Sequence, residues 1–383
     1  MSLIPRKAYA ARIATALKRR PVVVLLGPRQ CGKSTLARQV AVQRSSAYYD
    51  LENPDDRQRL QSPLRELEQR RGLVVLDEIQ QFPDLLPVLR VLADRRPIPA
   101  RFLLLGSASP DLLKKSSETL AGRIEFIDMS GFDLAEIGAE NMRRLWVRGG
   151  FPDSYLSGSD AASMVWRGDF IRTFLERDIP RLGLKVPAQL LHRFWTMTAH
   201  YHGQIWNSSE IGRSLGISHT TARGYLDIFC GALVLRQLQP WHANVGKRLV
   251  KAPKVYMCDS GLLHSLLKLP DFDTISSHPK LGASWEGFAL EQVLRRTGIR
   301  DAYFYATHGG AELDLFYMDG GRRVGVEFKY GDAPATTRSM HVAAEDLKLD
   351  QLFVVHPGKN SFPMAERIRA VSIFAIDEIT INR

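Results

Sequence analysis

Cysteine is scarce in this chain: three in 383 residues, Cys31, Cys230 and Cys258, scattered along its length. That spacing excludes a disulfide framework and a cysteine-based zinc site. No apolar run approaches the ~20 residues of a membrane-spanning helix. The N-terminus, with Arg6, Lys7, Arg12, Lys18, Arg19 and Arg20, lacks the apolar core of a secretory leader. A cytoplasmic protein with no membrane partner is expected. Acidic residues are outnumbered, 41 Asp and Glu against 52 Lys and Arg, for a net charge of +11. The excess sits in residues 1–150, with 25 basic side chains against 17 acidic, and not in a basic tail. Such a balance favours polyanionic partners, and nucleotides and nucleic acid both qualify. Apolar residues are not lacking. At 45% they suffice for proper cores, and the length suggests two or three domains of ~100–200 residues.

The organising stretch is Gly27-Pro28-Arg29-Gln30-Cys31-Gly32-Lys33-Ser34, between the apolar run Val22 to Leu26 and the helix-forming Thr35 to Val40. Strand, glycine loop and helix in that order match the phosphate-binding P-loop, G-x-x-x-x-G-K-[ST]. Glycine lets backbone N–H groups curl around phosphate oxygens without a Cβ in the way. The helix N-terminus adds roughly half a positive charge facing them. Gly27 through Thr35 form the candidate ATP-binding loop. Lys33 would reach the β- and γ-phosphates, and the Ser34 hydroxyl would hold Mg²⁺.

Further strands follow at Ala47 to Asp50, Leu73 to Glu78, Arg101 to Leu105 and Ile124 to Met129, with a charged, helical stretch from Pro54 to Arg71. The run Leu73-Val74-Val75-Leu76-Asp77-Glu78 is apolar until it ends in two carboxylates. Buried parallel strands read this way, and ligands sit at their C-terminal ends. Asp77 would orient Mg²⁺, and Glu78 would polarise the attacking water as general base. Gly106-Ser107-Ala108-Ser109 closes the next strand. Ser107 there is either a γ-phosphate sensor or an ordinary turn residue. Arg123 is either a finger acting in a neighbouring subunit or a surface ion-pair partner. Repeated strand–helix units imply a doubly wound parallel sheet. Together with Leu120-Ala121-Gly122-Arg123, these motifs resemble the AAA-type branch of P-loop ATPases. The chain is similar to a prokaryotic family that joins such an ATPase to a C-terminal domain of largely unassigned function. The resemblance extends through Gly149-Gly150-Phe151-Pro152, Phe174 to Ile179, and Lys254 to Leu262.

In the middle, Trp166 to Ile179 reads as an amphipathic helix, with Arg177 and Asp178 as an exposed charge pair. Asn207-Ser208-Ser209-Glu210 resembles a capping box, Gly216 a helix stop, and Ser218 the cap of a second helix. With a strand from Leu233 to Leu238, this reads as a winged helix-turn-helix. Its exposed face would carry His219, Thr220, Arg223 and Asp227, and Arg223 is the natural contact if it reads DNA. The segment is nearly neutral, and a protein-packing role stays open. His200 and His202 lack the spacing and partners of a metal site.

Beyond the basic stretch Val245 to Lys254, Trp285 to Arg296 is a helix, followed by strands at Ala302 to Ala306, Ala311 to Met318 and Arg322 to Tyr330. Asp319-Gly320-Gly321 is a hairpin signal. With Gly320 and Gly321 as the loop, Asp314 lies opposite Glu327, and Glu312 opposite Lys329. All four share one face, because strand side chains alternate. Opposed carboxylates repel unless something cationic sits between them, and a divalent metal is one answer. Asp, then Glu-x-Lys, with a helix glutamate, resembles the PD-(D/E)xK nuclease fold. That resemblance implies Mg²⁺ on Asp314 and Glu327, Lys329 on the attacking water, and Glu286 as the helix contributor. A Glu312–Lys329 ion pair on an inactive binding scaffold is the alternative. Closing strands are expected at Leu352 to Val355 and Val371 to Ile376.

The expected fold is thus α/β: a P-loop NTPase parallel sheet with helices on both faces (1–150), a helical region with a winged helix-turn-helix (151–245), and a nuclease-like α/β domain (246–383). The expected cofactors are ATP and Mg²⁺, and the expected partners are nucleic acid, DNA foremost, and further copies of the chain.

Overall fold

A computed structural model describes residues 4–42, 45–107, 110–242 and 248–379, except the side chains of 110–114. Ala108 and Ser109, and residues 245–247 at the start of the basic stretch named above, lie outside the described residues. The chain forms two compact units, Met1–Phe132 with Gly231–Leu233, and Asp133–Cys230 with Val234–Arg383. Among the described residues no helix is long and apolar enough to cross a membrane.

The first unit is built on five parallel strands, β1 (Val22–Leu26), β2 (Ser46–Asp50), β3 (Gly72–Asp77), β4 (Ala100–Gly106) and β5 (Ile124–Asp128). Their order is β2-β3-β4-β1-β5. All of β1, and β3 from Leu73 onward, are buried, as expected of strands covered on both faces. The stretch after β2 is two short helices, Pro54–Arg59 and Pro63–Glu68, rather than one. Pro63 disfavours helix at the preceding residue and opens the second. The strand order sets β4 between β1 and β3, so Gly27, Ser107 and Asp77 leave the sheet side by side at its C-terminal edge.

The second unit carries a nine-stranded sheet of β6 (Gln204–Ile205), β7 (Leu235–Pro240), β8 (Lys254–Met257), β9 (Ala302–Ala306), β10 (Glu312–Asp319), β11 (Arg322–Phe328), β12 (Gln351–His356), β13 (Phe362–Ala365) and β14 (Ile368–Ser372). Its order is β13-β14-β12-β11-β10-β9-β7-β8-β6. The joint is narrow: β7 runs parallel to β9 only at Gln239 opposite Tyr303 and Pro240 opposite Phe304. The hairpin β10–β11 has the expected register, with Leu315 opposite Val326 and Asp319 opposite Arg322. Its turn glycines both have positive φ. The expected final strand stops at Ser372, and Ile373–Ile379 is helical.

Helices Ser208–Leu215 and His219–Gly231 stand between β6 and β7. The Asn207 side chain caps the first by accepting the Glu210 N–H at 3.2 Å, and Ser218 Oγ accepts the Thr221 N–H at 3.0 Å. Leu233 takes a left-handed backbone, so β7 begins at Leu235, later than expected. The helix Asp160–Thr173 passes into a widened π turn, Phe174–Asp178, so Arg177 and Asp178 do not lie on a regular helix. Pro180, without an N–H to donate, opens the short helix that follows.

The turn Gly149-Gly150 and the segment Asp259-Ser260-Gly261 turn out to be two halves of one buried lock. Asp259 accepts N–H groups from Gly150 at 2.7 Å and Leu262 at 3.0 Å. A Cβ on Gly149 would come within 2.1 Å of its carboxylate, and one on Gly261 within 2.1 Å of the Arg148 carbonyl. Fully buried Arg167 closes the lock with bonds to the Val147 and Gly261 carbonyls at 3.0 and 2.9 Å.

Candidate functional sites: a nucleotide loop and a carboxylate cluster

The loop after β1 turns through Gln30 and Gly32, both at positive φ, and enters the helix Lys33–Val42. Gly27 cannot carry a side chain: a Cβ would sit 2.3 Å from the Met129 carbonyl and 2.9 Å from Cys31 Sγ. Cys31 is buried under the loop, Ser34 is half-buried and Thr35 is exposed. Lys33 is buried, and its ammonium donates to the Gly27 and Pro28 carbonyls at 3.0 and 2.8 Å, so its charge lies inside the loop. Arg29 reaches Glu52 at 3.6 Å. A curled loop, a helix N-terminus and an ammonium among backbone groups are the donor set that phosphate requires.

Arg6, which sequence reading left among the N-terminal cations, fastens this loop. Its buried guanidinium donates to the carbonyls of Cys31 (3.2 Å), Ser130 (2.7 Å) and Gly131 (2.9 Å). It also packs over the rings of Tyr9 and Phe132. No local motif marks it, since its partners lie 25 to 125 residues away.

Asp77 ends β3, buried, and accepts the Tyr48 hydroxyl at 2.5 Å and the Glu78 N–H at 3.0 Å. Burial, then the bond to Asp77, pushes the Tyr48 hydroxyl above its usual pKa. Glu78 lies outside the strand, in a left-handed backbone that a glutamate adopts only at a cost. Burial raises its pKa against the opposing pull of Lys33 and Arg29, and Gln80 holds its carboxylate. A carboxylate with raised affinity for a proton, set beside the phosphate loop, suits a general base. Ser107 is half-buried, one residue past β4. Arg123 precedes β5 at the opposite edge of the sheet, where its carbonyl accepts the Val22 N–H. That is about 15 Å from the loop, at ~3.3 Å per residue. It makes a two-pronged, exposed pair with Asp94, at 2.6 and 2.9 Å. A finger role would therefore have to be played toward another subunit.

In the second unit, Asp314 and Glu327 are buried on facing strands. Asp314 accepts the Phe328 N–H at 3.1 Å, and Glu327 Oε1 accepts Lys329 at 2.7 Å. The alternative Glu312–Lys329 ion pair is not formed. The β10–β11 ladder ends at Leu315 opposite Val326, β11 itself ends at Phe328, and the Lys329 N–H turns to Val355. Glu312 pairs with Lys254. Lys254, expected in a basic stretch, is a buried residue of β8, with its ammonium 3.3 Å from Glu286, 3.2 Å from Asp314 and against Glu312. Tyr256, two residues on and so on the same face, donates to Glu286 at 2.6 Å. Four carboxylates thus face two ammonium groups, leaving two formal negative charges. Burial, then the Asp314 charge, pushes Glu286 up to about 7 and Glu327 up to about 8. Burial works against the Lys254 charge, but Tyr256, Asp314, Glu286 and Glu312 outweigh it and hold its pKa well above the usual range.

Among the described residues no three His, Cys, Asp or Glu side chains are placed to hold a metal ion together. The pair Asp314 and Glu327 nonetheless fits a hard divalent cation. Glu327 Oε2 is buried without a hydrogen-bond partner, the donors are oxygen, and the residual charge is negative. Mg²⁺ commonly takes only one or two carboxylates.

Residues 19–138 match the AAA domain family. Residues 139–273 and 281–376 match two domains of unknown function, DUF8612 and DUF4143. Among solved structures, the Walker-type ATPase paby2304 of Pyrococcus abyssi is 16% identical with a TM-score of 0.49, over 69% of this chain and 96% of that one. The P-loop NTPase domain of the sigma-54 transport activator from E. coli is 19% identical with a TM-score of 0.24, over 34% of this chain and 100% of that one. Neither likeness bears on function. Two curated proteins, the uncharacterized Rv2008c of Mycobacterium tuberculosis and Mb2031c of Mycobacterium bovis, are each 49% identical over 369 residues, 96% of this chain and 84% of theirs. With the loop of Lys33 and the Asp77-Glu78 strand end inside the AAA match, the chain belongs to the family of these mycobacterial proteins, and its amino-terminal domain is an AAA-type P-loop ATPase.

Proposed function

We propose that this ATPase acts on nucleic acid, with DNA the foremost candidate, and that ATP turnover repositions a winged helix and a nuclease-like module upon it. Mg²⁺ would be held by Ser34 and Asp77 and would neutralise phosphate charge, with Glu78 taking the proton of the attacking water. Ser107 would meet the γ-phosphate. Assembly of several copies would bring Arg123 of one to the nucleotide of the next.

The observation that carries the reading is the helix pair between β6 and β7. Its second helix exposes His219, Thr220, Arg223 and Asp227, and Arg223 forms no ion pair among the described residues. At the start of the first helix, an open groove of about 1380 Å³ is lined by Tyr201, Trp206, Arg248, Lys251 and His308, with Glu210 its one carboxylate among the described residues. Cations interleaved with aromatic rings suit a phosphate backbone with unstacked bases. Fluorescence anisotropy with labelled duplex, single-stranded and branched DNA tests this. Arg223→Glu and the pair Arg248→Glu/Lys251→Glu should each weaken binding about tenfold or more and flatten its salt dependence. Unchanged affinity in both sinks the nucleic-acid reading and leaves the ATPase untouched.

Whether the carboxylate cluster cuts is a second question, and Asp314 and Glu327 beside Lys329 favour a cleavage-competent site. Incubation with Mg²⁺, ATP and assorted DNA and RNA separates the cases. Cleavage lost in Lys329→Ala but kept in Lys33→Ala marks an independent nuclease. No cleavage, with ATP turnover intact, marks a switch that binds without cutting.

A further inference from the structure

Lys254 does not come from the sheet half that holds the nuclease-like motif. It stands on β8, the strand that pairs with both β6 and β7 and so forms the ribbon bracketing the two exposed helices. Its side chain is 3% exposed. Its ammonium faces the oxygens of Glu286, Glu312 and Asp314 and lies over the Phe304 ring. One of these, Asp314, is the carboxylate that a divalent cation would share with Glu327. An ammonium at 3.2 Å and a metal ion on the same carboxylate would be like charges a few ångströms apart in a poorly solvated place, where repulsion is strong.

We infer that Lys254 is the resident counter-ion of the carboxylate cluster, and that a divalent cation binds Asp314 and Glu327 only by displacing it. The inference rests on the nuclease-like reading of that cluster and adds its regulation. Metal loading becomes tied to the position of the ribbon, because the cation that must yield is carried by it. Tyr256 supports the same arrangement from the same strand by holding Glu286, so that Lys254 can leave while Glu286 keeps a donor.

The test uses the nucleotide-free full chain titrated with Mn²⁺, with binding read from loss of the free-ion resonance signal. Asp314→Asn identifies the site by abolishing that binding. Lys254→Met should tighten Mn²⁺ binding by about tenfold or more, because the competing charge is gone. Lys254→Arg, which keeps the charge, should bind as the unaltered chain does. A measurement on the unaltered chain covers the case in which Lys254→Met does not fold. Reductive methylation read by peptide mass should spare Lys254 in chelator and modify it in Mn²⁺. Folded Lys254→Met that binds Mn²⁺ no more tightly overturns the inference, as does a Lys254 still protected while Mn²⁺ is bound. If no Mn²⁺ binding depends on Asp314, the nuclease-like reading fails and takes the inference with it. If it depends on Asp314 but ignores Lys254, the inference alone fails.

Discussion

Replacing Arg6 with methionine keeps the length of the side chain and removes three donated hydrogen bonds at once. The Cys31, Ser130 and Gly131 carbonyls lose the donor they face. A buried polar group left without its partner costs about 1–3 kcal/mol. The contact with the Tyr9 ring, 4.6 Å from guanidinium to centroid, adds roughly 1 kcal/mol. Against this, the variant no longer has to bury a guanidinium. The expected net loss is about 3 kcal/mol in the first unit. Because one of the freed carbonyls belongs to the phosphate loop, nucleotide affinity should also fall about tenfold, a change worth about 1.4 kcal/mol. Urea unfolding followed by far-UV circular dichroism measures the first effect. All six tryptophans lie between Trp146 and Trp285, so their fluorescence follows the second unit and gives an internal reference. Arg12, exposed and 5.6 Å from the same Tyr9 ring, is the control, and Arg12→Met should cost under about 0.5 kcal/mol. A loss below about 1 kcal/mol in Arg6→Met, with nucleotide affinity unchanged, refutes the assignment of Arg6 as the fastener of the loop.

Glu78→Gln should cut ATP turnover about 100-fold or more while nucleotide binding persists, as removal of a general base does. Because burial raises the Glu78 pKa and the base works ionised, turnover in the unaltered chain should decline on acidification above the usual carboxylate range. A pH–rate profile flat down to pH 5 contradicts that role. Glu327, raised to about 8 by burial and the Asp314 charge, binds a proton more tightly folded than unfolded. Its contribution to stability is therefore complete below the unfolded carboxylate pKa and is lost as pH rises through about 8. In chelator, Glu327→Gln should flatten that decline, as read by urea midpoints between pH 5 and 9. Gly261→Ala would drive a methyl into the Arg148 carbonyl and should cost about 2–3 kcal/mol, visible as a lower midpoint in tryptophan fluorescence.

Local chemistry was legible. The phosphate loop, the strand ending in Asp77 and the hairpin register at Gly320-Gly321 each depend on residues close in sequence. The helix pair could be placed because Asn207, Gly216 and Ser218 mark its ends. What escaped was long-range or depended on an end. Arg6 acts on carbonyls up to 125 residues away. Tyr48 meets Asp77 only because β2 and β3 are neighbours. Lys254 was read with the basic stretch before it, although Lys254-Val255-Tyr256 alternates in the manner of a strand. The Glu312–Lys329 pair failed because the β10–β11 ladder was assumed to run on past Val326, where it stops. Gly150 and Asp259 could be picked out by resemblance, but their meeting across 109 residues could not.

The seam at Gln239 and Pro240 makes one plate of nine strands out of what could have been two hinged pieces. The seam is two residue pairs wide, so the ribbon that carries Lys254 meets the strands of the carboxylate cluster at one narrow place. Under the proposed function, a displacement of that ribbon would reach Asp314 through this seam, and binding and chemistry would be linked there.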